Sequence, residues 1–91
     1  MKIRLSKRDA EFSRLIRERD AYCRMCGRGG RLECAHIVGR RNKELRWDPF
    51  NALALCFSCH RWSHENPIAW VEWLKGEIGA KEYARLKRIG A

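Results

Sequence analysis

Two cysteine pairs constrain this chain more than any other feature. Cys23-x-x-Cys26 and Cys56-x-x-Cys59 each place two thiols on one tight turn, with residues 27–55 between the pairs. A CxxC turn aims both sulfurs at one centre, and two such turns supply the four thiolates of a tetrahedral zinc shell. If both pairs serve one ion, residue 56 must return to residue 23, and the segment between becomes a bracketed hairpin. An iron–sulfur cluster takes the same ligands and stays open as the alternative. A shell closed by four sulfurs keeps no position for substrate, so the ion is expected to be structural.

Size makes such a staple useful. A chain of 91 residues is one domain at most. It buries only about two-thirds of its unfolded surface, and small cores of this kind lean on metals, disulfides or partners. The opening MKIRLSKRDAEFSRLIRERD lacks the apolar core of a secretory signal. No apolar run approaches the ~20 residues that span a membrane. A reducing, cytoplasmic setting is therefore expected, where paired cysteines bind metal more often than each other. The fifth cysteine, Cys34, makes the count odd and argues against a complete disulfide framework. Its simplest reading is a small buried hydrophobe on a strand.

Charge points to a partner. Lys and Arg number 20 against 11 Asp and Glu, a formal charge of +9. This is either a well-solvated surface or the electrostatic footprint of a nucleic-acid binder, and the second reading is favoured. Arginines outnumber lysines, and the guanidinium fork suits phosphate.

The local pattern supplies the elements. Residues 1–5 are expected to be a loose start. Ser6 and Asp9 form a capping box for a helix over about 6–20, with Phe12, Leu15 and Ile16 on its apolar face and Arg8, Arg14, Arg17 and Arg19 opposite. "RLECAHIV" reads as a strand, residues 40–50 as a long loop, and "NALAL" as a second strand. A helix follows from about Phe57 and ends before Pro67. Asn66 and Pro67 then open another helix, with Trp70, Val71, Trp73 and Leu74 inward. Gly79 breaks it, and a last short helix turns Tyr83, Leu86 and Ile89 inward. The expected fold is α+β: a zinc-stapled hairpin packed on a helix (core about 21–66), flanked by helices at about 6–20 and 67–89.

A full sulfur shell leaves three histidines to explain. His60 and His64 are spaced i, i+4 on the expected helix, so they share one face about a turn apart. That is the geometry of two imidazoles on one metal, or else of two solvent-facing histidines. His36 lies on the strand pinned beside the zinc site.

The run C-x-x-C … AHI … DPFNALALC-x-x-CH-x-x-x-H, from Cys23 to His64, resembles the HNH endonucleases, the ββα-metal nucleases. The H-ENP-x-x-W segment is similar to small phage-type members. The resemblance implies a metal-dependent endonuclease on double-stranded DNA, in a bacterial or phage-infected cell. His36 would be the general base, Asn51 would bond across the hairpin loop to aim it, and His60 with His64 would hold a catalytic divalent metal. Arg40, Arg41 and Arg46 on the loop would grip neighbouring phosphates. Products would be a 5′-phosphate and a 3′-hydroxyl. Many members carry a metal ligand just before the base; here that position is Ala35, and Cys34, on the same strand face as His36, is the substitute on offer. An imidazole-rich site suits Mn²⁺, Co²⁺, Ni²⁺ or Zn²⁺ better than Mg²⁺. With one active centre per chain and no heptads, a monomer that nicks one strand per event is expected, a dimer being the alternative. Two rivals use fewer of these features: a non-catalytic zinc DNA-binding module, and a zinc scaffold for a protein partner.

Overall fold

Helix α1 (Lys7–Asp20) begins where the sequence places it. The Ser6 hydroxyl accepts from the Asp9 N–H at 3.0 Å, and the Asp9 carboxylate takes the Ser6 N–H at 3.1 Å. These reciprocal bonds satisfy two orphan donors of the first turn. The computed structural model describes residues 6–91, so the expected loose start at 1–5 lies outside the described residues. Phe12 and Ile16 are buried, whereas Leu15 is 52% exposed. The inward face of α1 is thus narrower than its apolar spacing suggested.

Strands β1 (Glu33–His36) and β2 (Ala52–Leu55) pair antiparallel, with Glu33 opposite Leu55 and His36 opposite Ala52. All four residues of β2 are buried, which explains its unbroken apolar run: both faces are covered. Ala35, Leu53 and Leu55 pack with Leu74, while Ala52 packs with Phe12 and Ile16 and is flanked by Cys34 and Trp47. The hairpin therefore carries a separate apolar cluster on the α1 side.

Both strands are shorter than expected, and one side chain accounts for the end where β1 leaves the hairpin and β2 enters it. The Asn51 side chain accepts from the Val38 N–H at 2.7 Å and donates to the Val38 carbonyl at 2.9 Å. A side chain thus satisfies backbone groups that a longer ladder would have used. Asn51 itself closes a 3₁₀ turn, Pro49–Asn51, capped by Asp48.

Helices α2 (Phe57–Glu65), α3 (Pro67–Ile78) and α4 (Ala80–Gly90) follow. Gly79, at φ 91°, supplies a left-handed joint between the last two that other residues resist. Asn66 occupies the N-cap position of α3, but its side chain does not cap that helix. Its amide instead donates to the Trp62 carbonyl at 3.0 Å and closes α2. Leu74 and Leu86 are the buried anchors of α3 and α4, and Trp70 stacks on Trp73 at 5.4 Å. None of the described helices is long and apolar enough to cross a membrane.

Candidate metal centre and histidine cleft

The first cysteine pair sits on a knuckle just after α1. The Gly27 N–H bonds the Cys23 carbonyl at 2.8 Å, and Gly27 takes φ 78° to close the turn. The Arg24 N–H bonds the Ala54 carbonyl at 2.9 Å, which fixes the knuckle against β2. The second pair begins where β2 ends: Cys56 is the N-cap residue of α2, and Cys59 lies in its first turn. Strand, knuckle and helix start thus converge.

The four Sγ atoms lie within 4.8 Å of one another, and those of Cys26 and Cys56 are 3.7 Å apart. A tetrahedral ion with 2.3 Å metal–sulfur bonds needs sulfurs about 3.8 Å apart. These four cysteines could therefore hold a metal ion such as zinc, and the expected ligand set is the one assembled. Burial opposes ionisation of Cys23, but N–H donors of Cys26, Cys56 and Met25 prevail and bring its pKa to about 6. Cys59 is pushed far the other way, by burial first and by its thiol neighbours. One thiolate forms readily; a bound cation would stabilise the rest.

Beside this centre a cleft of about 550 Å³ is lined by His36, His60, His64, Cys34 and Arg40, by the carboxylates of Asp9 and Glu33, and by Ser13 and Arg17 of α1. The three histidines come from two elements: His36 ends β1, and His60 and His64 lie on α2, the latter in its last turn. The Nε2 of His36 lies 3.0 Å from the Arg46 carbonyl. A carbonyl only accepts, so Nε2 carries the proton and Nδ1 keeps its lone pair. Burial holds the His36 pKa below its usual 6.5, the Arg46 carbonyl only partly opposing it. At neutral pH this imidazole is an uncharged acceptor.

Asn51 is fully buried. Besides Val38 it reaches the Leu45 carbonyl at 3.0 Å, so it ties both ends of the loop that follows His36. Replacing it with leucine would strand one donor and two acceptors. We expect Asn51→Leu to lower stability by about 3 kcal/mol, read by urea denaturation. A loss under about 1 kcal/mol would show that water replaces its bonds.

The rings of His60 and His64 are 5.1 Å apart. The Nδ1 of His60 lies 2.8 Å from the Glu33 carboxylate. A carboxylate only accepts, so Nδ1 donates in this contact, which leaves Nε2 as the ring nitrogen not engaged by Glu33. The sequence reading missed Glu33; its only signal was strand position, three residues before His36. Among the described residues the histidines join no group of three or more convergent ligands. Cys34 lines the cleft with His36, but burial raises its thiol to about 11. It stays protonated there and is a poor stand-in for a ligand at Ala35.

The three loop arginines part company. Arg40 lines the cleft and Arg41 is exposed outside it. Arg46 is instead bound to Asp9, its Nε 2.8 Å from Oδ1 and a terminal nitrogen on Oδ2. That ion pair, with Ser6 and the Trp47 N–H, holds the Asp9 carboxyl far below its usual range. The Arg46 guanidinium is thereby committed to α1 rather than open to phosphate, and its carbonyl is what meets His36. Compared with models of known families, with curated proteins and with solved structures, the chain finds no match.

Proposed function

We propose that this chain is a metal-dependent DNA endonuclease of the HNH type, with zinc in the four-cysteine shell as a structural ion. One observation supports this most: a neutral, oriented imidazole, His36, shares a single basic cleft with the i, i+4 pair His60 and His64. A DNA-binding module without catalysis uses the charge and cysteines but gives that arrangement no task.

The i, i+4 pair would offer two imidazole donors to a second divalent cation. His60, with Nδ1 held by Glu33, and His64 would hold it, leaving positions for a phosphate oxygen and water. Once bound, it would offset charge on the phosphate and on the departing 3′ oxygen. The chain's own groups do the rest. The Nδ1 of His36 takes a proton from water as the oxygen attacks phosphorus. The bond from phosphorus to the 3′ oxygen breaks, and that oxygen gains a proton from solvent. The Arg46 carbonyl keeps the ring in the accepting tautomer throughout.

Supercoiled plasmid incubated with Mn²⁺, Mg²⁺, Ni²⁺, Co²⁺ or Zn²⁺ tests the reading. Open circle should accumulate first and linear product later, since one centre engages one phosphodiester. No cleavage with any metal would overturn the activity.

The pH profile carries a sign. The base must be neutral, and burial favours the neutral form, with Arg40 and Arg46 reinforcing and Asp9 opposing. At saturating metal the rate should be full above the ordinary histidine value of 6.5 and fall only as pH drops below it. An acid limb centred above 6.5 would mean that His36 is not the group titrating.

A further inference from the structure

We propose that Arg17 on α1 and Arg40 on the β1–β2 loop are two arms that hold the phosphate backbone of one DNA strand across the histidine cleft. Their identity as phosphate ligands rests on the DNA reading above. On this view α1, expected only to flank the core, forms one wall of the substrate site.

The four arginines of α1 have different partners. Arg8 lies 4.1 Å over the Trp47 ring, and Arg14 pairs with Glu18 at 3.0 Å. Arg19 bonds Asp20 and reaches the Pro49 and Ala52 carbonyls at 2.7 and 2.9 Å, clasping α1 to the hairpin. Arg17 alone of the four lines the cleft. Its Nε donates to the Ser13 carbonyl at 3.2 Å, which steers the side chain while leaving the terminal nitrogens their donors. Among the described residues it has no carboxylate partner.

Arg40 enters the same cleft from the loop. The Cys34 thiol, which also lines the cleft, lies in the combined field of Arg19, Arg17 and Arg40. Of the two carboxylates in the cleft lining, Asp9 is paired with Arg46, while Glu33 is hydrogen-bonded to His60 and pairs with neither arginine. Two guanidinium groups without a carboxylate partner among the described residues, beside an imidazole base, suit a polyanion whose charges repeat along a strand.

The test is fluorescence anisotropy of a labelled DNA duplex over a salt series, with zinc-loaded protein and no further metal. Arg17→Ala and Arg40→Ala should each weaken binding severalfold and reduce the slope of log affinity against log salt by about 0.9. Arg17→Lys should restore the slope, because it returns the charge. Arg14→Ala, whose side chain is spent on Glu18, should match wild type. Arg17→Ala binding with wild-type affinity and slope would overturn the clamp, as would wild-type protein that binds no duplex at low salt. If wild type cuts plasmid but Arg17→Ala binds normally, the clamp fails and the nuclease stands. If Arg17→Ala loses the slope but wild type never cuts, the clamp stands and the nuclease fails.

Discussion

Cys56→Ala should have no cooperative thermal transition and no bound zinc. Cys56 ends β2, begins α2 and aims its sulfur at the other three. Its loss breaks the shell at the point where strand and helix meet. The fold has little to fall back on. Each strand is four residues long, and an isolated two-stranded hairpin is marginal in water. Structural zinc in small domains supplies on the order of 10–16 kcal/mol, against about 5–15 kcal/mol for the net stability of a typical domain. Losing such a term should exceed what remains. Metal analysis and circular dichroism read the outcome, with Cys34→Ala as the control, since Cys34 packs beside Phe12 and Ile16 and lies outside the shell. A Cys56→Ala protein that melts like wild type would show that the cysteines are ordinary core residues.

What the sequence made legible was what local chemistry dictates. The capping box at Ser6, the proline at 67 and the glycine at 79 mark helix ends through backbone rules that act within a few residues, and the helices begin and end there. The paired cysteines converge because the CxxC spacing already contains half of the geometry. The loop-side ends of the strands were not legible, because they depend on Asn51 reaching back to Val38. Nor was the fate of Arg46, which sits in a basic run with Arg40 and Arg41 and pairs with a capping residue far earlier in the chain. Periodicity gave α1 an apolar face and a basic face, but it could not say which arginine would meet the hairpin, the tryptophan or the cleft. Glu33 is the same kind of case: its contact with His60 is made by the hairpin lying against α2.

His36→Ala should lose cleavage while keeping fold and DNA binding. The side chain meets the protein through one hydrogen bond, to the Arg46 carbonyl, and a tilted contact with the Phe12 ring at 5.7 Å. A hydrogen bond of that kind contributes about 1 kcal/mol, well short of unfolding a domain. The four-cysteine cluster lies elsewhere and stays complete. The cleft arginines proposed to meet DNA, Arg17 and Arg40, also remain, so affinity should change little. Catalysis is different, because on the proposed reading His60 and His64 are taken by the metal, Cys34 is protonated and the Asp9 carboxylate is spent on Arg46. A positioned general base contributes about 10²–10⁴-fold. The direct measurement is the initial rate of open-circle formation from supercoiled plasmid, at saturating divalent metal, for wild type and His36→Ala side by side. The account predicts a fall of about 10²–10⁴-fold with melting temperature and duplex affinity near wild type; a variant that nicks at the wild-type rate would contradict it.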